Sequence, residues 1–302
     1  MSQNEFDTLV QGLGNAQRVA QPTIEGIRAA MDRLGDRFLP AHDIAIESVS
    51  ANGVPAEWVR APHASEQMTV LFTHGGGYCI GSPRTHRDLV GRLSRASGAR
   101  FLSIDYRLAP EHPFPAAVED AVKAFQWLIE QGIAPSRIAL CGDSAGGGLA
   151  LALIVALRER GIPLPATVAC ISPLTDLAYT GKTLLTNAAL DPISRRDTSA
   201  ALAHRYLGGQ DASRNPLASP LYADFQGFPP IQILVGSHEI LLDNSTRLAE
   251  LASAAGVQVE IEVWEGMVHI WPFFAAILPK GQEAIERMGG YLARHLAVSI
   301  RR

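Results

Sequence analysis

Short apolar runs punctuate this chain at VLFT (70–73), FLSI (101–104), IALC (138–141), VACI (168–171), IQILV (231–235) and VEIEV (259–263). Between most of them lie helix-like stretches: His86–Ser97, Ala116–Gln131, Gly148–Arg160 and Asn244–Ala255. Lys280–Leu296 reads as a last helix. Strands that alternate with helices build βαβ units and a parallel sheet. Such strands are covered on both faces, so they read as apolar runs rather than as an apolar/polar alternation. The fold class is therefore α/β, with the 302 residues forming one unit.

Two segments depart from this rhythm. Near the start, a helical pattern around Thr23–Leu34 is bounded by Pro22 and Pro40. It is followed by IAIESV (44–49) and AEWVR (56–60), which can pair across a turn at Asn52-Gly53. Later, residues 172–230 interrupt the alternation with a helix-like patch at Thr198–Leu207 and a Pro/Gly-rich return. An insertion of that size above a sheet edge reads as a lid or cap.

The stretch IALCGDSAGGGL (138–149) concentrates glycine where an apolar strand gives way to an apolar helix. Gly142-Asp143-Ser144-Ala145-Gly146 fits G-x-S-x-G. A sharp strand-to-helix turn lifts the serine above the sheet, and glycine on either side removes Cβ clashes. The helix that starts there points its N-terminal amides and dipole at the serine. Ser144 is accordingly the candidate nucleophile.

A serine nucleophile needs a base, and in a serine-first chain the acid and histidine follow in that order. After Ser144 come His204, His238, His269 and His295. His204 lies in the insertion, His295 falls in the terminal helix, and His238 leaves little room for an acid before it. His269 follows the last strand beside Gly266 and is the expected base. Glu239 and Asp243 both follow IQILVG as candidate acids. Glu239 is nearer the strand end and is favoured, with Asp243 read as the cap of the next helix. Oxyanion donors are expected from the amides of Ala145 and of Gly76 and Gly77, in THGGGYCIG (73–81) after VLFT. No phosphate-binding glycine pattern is present.

Other classes are disfavoured. The chain carries 26 Lys and Arg against 30 Asp and Glu, scattered rather than clustered, so nucleic acid is not an expected partner. Cys79, Cys141 and Cys170 have neither disulfide-framework nor zinc spacing. No metal or organic cofactor is implied. The N-terminus lacks secretory-signal features, and the apolar run LALALIVAL (149–157) is too short for a membrane span. A soluble, cytoplasmic protein is expected.

Together HGGGY (74–78), DYRLAPEHPFPAAVED (105–120), GDSAGGG (142–148), GSHEILLD (236–243) and GMVHIW (266–271) resemble the bacterial hormone-sensitive-lipase-like (family IV) esterases of the α/β-hydrolase superfamily. The resemblance implies an eight-stranded, mostly parallel sheet with a helical cap built from about residues 1–40 and 172–215. It implies a Ser144–Glu239–His269 triad with oxyanion donors Gly76, Gly77 and Ala145, although the family often places Asp where this chain has Glu239. It further implies a small-molecule ester substrate with a short acyl chain, and pairing of two copies through the strand near VEIEV. An amidase, arylformamidase or carbohydrate deacetylase would use the same triad. A ligand receptor of the gibberellin-receptor kind lacks the catalytic histidine that His269 provides here. Asp105, Arg107 and Glu111 are expected to form a structural hydrogen-bond network. Trp264, Trp271, Phe273 and Phe274 fit either a substrate pocket or the core.

Overall fold

The computed structural model describes Phe6, Thr8, residues 10–12 and residues 23–298. The part of the expected cap at residues 1–22 falls largely outside them. The strands are β1 (Ala45–Ala51), β2 (Val54–Arg60), β3 (Ser65–Thr73), β4 (Ala99–Ile104), β5 (Ile138–Asp143), β6 (Thr167–Ile171), β7 (Ile231–Gly236) and β8 (Val259–Trp264). They form an eight-stranded sheet in the order β1-β2-β4-β3-β5-β6-β7-β8. β2 runs antiparallel to both of its neighbours, and the pairs from β4 to β8 are parallel. The hairpin at Asn52-Gly53 forms, with both residues at positive φ.

The principal helices are α1 (Ile24–Gly35), α2 (Arg87–Ser97), α3 (Ala116–Glu130), α4 (Ala145–Glu159), α5 (Thr183–Thr186), α6 (Arg196–Leu207), α7 (Leu242–Ala254) and α8 (Pro279–Val298). α4 begins three residues before the expected Gly148, because its first turn is written in Ala and Gly and carries no apolar periodicity. Successive strand residues feed opposite cores. Leu71, Leu140, Val168 and Ile233 pack with α3, α4 and α7. Val70, Phe72, Cys141 and Ile171 pack with α2 and α8. Covering both faces buries Ile138–Asp143 along its whole length, which is why this strand reads as an apolar run. Each fully buried Leu, Val or Ile contributes about 1.5–3 kcal/mol relative to exposure.

The residues expected to waver between pocket and core resolve in part. Trp271, Phe273 and Phe274 are buried; Phe273 and Phe274 form an edge-to-face aromatic cluster with Phe38, and Trp271 packs at a tilt on Trp264. The network expected for Asp105, Arg107 and Glu111 is only partly realised. Arg107 pairs with Asp120 at 2.8 Å, and Glu111 pairs with Arg28 of α1 at 2.7 Å. Asp105 is exposed and its carboxylate accepts no hydrogen bond among the described residues. Partial burial of the carboxyl group and the nearby Glu57 charge hold its pKa above the ordinary range, so this charge stands without a compensating donor.

The insertion lies against the glycine loop after β3. Tyr206 of α6 stacks on Tyr78 with centroids 3.8 Å apart, and Phe114 N–H donates to Tyr206 O at 2.7 Å. α1 reaches the same loop through Arg28, whose guanidinium donates to the carbonyls of Cys79 at 2.9 Å and Ala109 at 3.0 Å.

Candidate active site

Loops after the parallel strands gather at their carboxyl ends, where open α/β sheets place their sites. Ser144 follows β5 with φ 51° and ψ −122°, a conformation that costs a non-glycine residue about 1–3 kcal/mol. Its backbone is fixed on both sides. Ser144 N–H donates to Ile171 O at 2.8 Å, and Ser144 O accepts from Leu174 N–H at 2.9 Å. The flanking glycines are required by packing. A Cβ on Gly146 would collide with the carbonyl of Thr73, and one on Gly142 would sit 2.5 Å from the Gly146 carbonyl.

His269 lies past β8 with its ring buried at 4% exposure. Its Nε2 is 2.9 Å from Ser144 Oγ, and its Nδ1 is 2.9 Å from Glu239 Oε2. Glu239, past β7, is fully buried. Its Oε1 accepts from Ser172 Oγ at 2.7 Å and Gly236 N–H at 2.6 Å. The carboxylate is therefore held on one oxygen and faces the imidazole with the other. Burial pushes the His269 imidazole down, but the Glu239 hydrogen bond and charge, with Asp191 and Asp143 further off, outweigh it. Its pKa ends above the ordinary value of 6.5.

The three side chains thus form one hydrogen-bonded line from carboxylate to hydroxyl, an arrangement able to draw a proton from Ser144 and hold the imidazolium that results. Beside it the loop Gly75–Gly77 bends through positive φ at Gly76 (123°) and Gly77 (58°). The N–H groups of Gly76, Gly77 and Ala145 donate to no acceptor among the described residues.

Asp243 stands elsewhere. Its carboxylate accepts from the backbone N–H of Lys182 at 2.5 Å and Thr183 at 3.2 Å. It caps the short α5 of the insertion rather than its own helix, because the preceding turn carries the side chain across to the neighbouring segment.

Three residues here escape sequence reasoning. Ser172, directly after β6, donates to Glu239 and accepts from Ile270 N–H at 3.1 Å. Asn187 Nδ2 donates to the carbonyls of Ser237 at 3.0 Å and Glu239 at 2.9 Å. Asp191 accepts from Ile240 N–H at 3.0 Å, and burial pushes its carboxyl up to about 6. Ser172 had one available signal, its position at the carboxyl end of an apolar run. The other two lie in the insertion, where nothing in the sequence marks them. Among the described residues no cluster of His, Cys, Asp and Glu is arranged to hold a metal ion, and no helix is long and apolar enough to cross a membrane.

Known proteins place this geometry. The family described as having the α/β hydrolase fold matches residues 70–273. The acetyl-hydrolase of Streptomyces hygroscopicus is 45% identical over 273 residues, 89% of each chain. The carboxylesterase NlhH of Mycobacterium tuberculosis is 32% identical over 97% of each chain. A crystal structure of an esterase from the bacterial hormone-sensitive lipase family superposes with a TM-score of 0.94 at 46% identity, covering 98% of this chain and 99% of that one. With fold, motifs and relatives in agreement, the chain belongs to the bacterial hormone-sensitive-lipase family of α/β-hydrolases and is a carboxylic ester hydrolase.

Proposed function

We propose that this esterase hydrolyses short-chain carboxylic esters through a Ser144–His269–Glu239 triad and an acyl-enzyme. The observation that carries this reading is the unbroken line of 2.9 Å contacts from Glu239 Oε2 through His269 to Ser144 Oγ. Ser144 Oγ attacks the ester carbonyl while His269 Nε2 takes its proton. The oxyanion is held by the amides of Gly76, Gly77 and Ala145. His269 then gives the proton to the leaving alcohol, the C–O bond breaks, and the acyl group stays on Ser144. Water, deprotonated by His269, attacks the acyl carbonyl and releases the acid.

Glu239 holds the tautomer with hydrogen on Nδ1 and stabilises the imidazolium. Ser172 and the Gly236 amide orient Glu239. The 172–215 segment and α1 serve as a cap. Leu202 of α6 packs against Gly77, where an added Cβ would lie 2.7 Å from Leu202 Cδ1. A leucine so close to an oxyanion donor limits the room for an acyl chain. Two comparisons favour small acyl groups. The Streptomyces relative is named an acetyl-hydrolase, and esterase EstE5, 43% identical with a TM-score of 0.92, was soaked with p-nitrophenyl butyrate.

The test is a panel of p-nitrophenyl esters of rising acyl length with wild type and Ser144→Ala. Turnover that is highest for the shortest acyl groups and abolished in Ser144→Ala is expected. Wild-type turnover in the mutant would refute the nucleophile, and undiminished turnover of long acyl esters would refute the chain-length reading.

A further inference from the structure

Asp143, the residue before Ser144, is wholly buried. Its Oδ1 accepts from Gly75 N–H at 3.0 Å. A Cβ on Gly75 would strike Asp143 Oδ2, so the glycine loop rests directly on this carboxylate. Oδ2 has no hydrogen-bond partner among the described residues, and His86 Nε2 stands 3.4 Å from it. A carboxylate oxygen facing a bare imidazole lone pair, both out of water, would be strongly unfavourable.

Two buried histidines neighbour Asp143, and only His86 brings a ring nitrogen within reach of its carboxylate. His74 Nδ1 lies 2.8 Å from Gly75 O, an acceptor, so its hydrogen sits on Nδ1. Burial, with the neighbouring His86, pushes His74 down to about 3, which keeps it neutral and leaves its Nε2 bare. His86 differs. Its Nδ1 is 2.8 Å from Thr85 Oγ1 and 3.2 Å from Ser82 O, and the same hydroxyl lies 2.9 Å from Ser82 O. The hydroxyl hydrogen can turn to Nδ1, and the Asp143 carboxylate on the other side of the ring, as a charged and therefore stronger acceptor than the carbonyl, draws the ring hydrogen to Nε2. The titratable groups facing His86 are Asp143 and His74, and its remaining ring neighbours are Phe72 and Phe273. Burial pushes the Asp143 carboxyl up, but His86 and the Gly75 amide outweigh that and hold it below its ordinary range, as befits an acceptor.

We infer that His86 is a positioning residue for the oxyanion loop: it presents Nε2–H to Asp143 Oδ2, so that Asp143 can seat Gly75 and aim the adjoining amides of Gly76 and Gly77. The inference rests on the ester-hydrolysis reading for its kinetic consequence, although the hydrogen's location does not. His86→Leu removes the donor and leaves an unpaired carboxylate beneath the loop. We expect kcat to fall about tenfold to a hundredfold with KM changed less than about threefold, short of the ~10²–10³ that follows loss of an oxyanion donor itself. His86→Gln, which restores an N–H at similar reach, recovers most of the loss.

The deciding experiment is a ¹⁵N-histidine NMR spectrum of the resting enzyme, with His86 assigned by its disappearance in His86→Gln. A protonated Nε2 is expected, and a bare Nε2 would overturn the inference even if His86→Leu does not fold. A folded His86→Leu with wild-type kcat would overturn it as well. Failure of the wild type to hydrolyse any ester would sink the functional reading and leave the NMR result standing.

Discussion

Glu239→Gln changes one atom of the site and tests what the acid does. In the wild type Oε1 meets Gly236 N–H at 2.6 Å and Ser172 Oγ at 2.7 Å. Gly236 N–H can only donate, so it holds the carbonyl oxygen of the new amide in the Oε1 position and bars a flip. The amide NH2 then faces His269 Nδ1, 2.9 Å from where Oε2 lay. A donor there forces Nδ1 to accept, which moves the imidazole hydrogen to Nε2. Nε2 then presents a hydrogen rather than a lone pair to Ser144 Oγ at 2.9 Å. The base is lost with the geometry intact, and a wrong tautomer of this kind lowers kcat by about 10⁴. At about 1.36 kcal/mol per factor of ten, the barrier rises by about 5 kcal/mol. The assay is kcat on p-nitrophenyl acetate, with circular dichroism confirming the fold. A folded Glu239→Gln that keeps kcat within tenfold of wild type would refute the assignment of the acid.

Four further expectations follow from the same geometry. Asp243→Asn keeps kcat near wild type, because Asp243 caps α5 and does not reach His269; a loss of a thousandfold or more would move the acid to Asp243. The acid limb of kcat/KM has its midpoint above pH 6.5, because the base works only when neutral and Glu239 raises His269 above that ordinary value; a midpoint below pH 6 would contradict this. The stability that pairing with Glu239 gives His269 is, by the same sign, full below about pH 6.5 and lost as pH rises through the raised folded pKa. Gly146→Ala drives a Cβ into the Thr73 carbonyl and to 2.5 Å from His74 O, so it destabilises by at least about 3 kcal/mol. A melting temperature lowered by roughly 6 °C or more is expected, and an unchanged one would refute the packing argument.

What could be read in the sequence was what one segment of chain decides. Strands buried on both faces advertise themselves as apolar runs, so β4 to β7 were legible within a few residues. β3 was legible only at its buried end, because its first residues, Ser65 to Gln67, lie toward solvent. Ser144, His269 and Glu239 could be named because each follows a strand at the sheet's carboxyl edge, so chain order restricts the choice. The supports of the site were hidden for the opposite reason. Ser172 and Asn187 matter only through contacts to Glu239 that span 67 and 52 residues. His86 and Asp143 meet across the interval between α2 and β5, and no local pattern records that meeting. Asp105 shows the reverse error: a charged residue inside a family motif looked paired, yet its carboxylate accepts no hydrogen bond among the described residues.

The most direct measurement is covalent labelling with an alkyl fluorophosphonate followed by peptide mass spectrometry. The account predicts one adduct, on Ser144 Oγ, formed rapidly by the wild type and slowed by orders of magnitude in His269→Ala. An adduct on another residue, or equally fast labelling of Ser144 in folded His269→Ala, would contradict it.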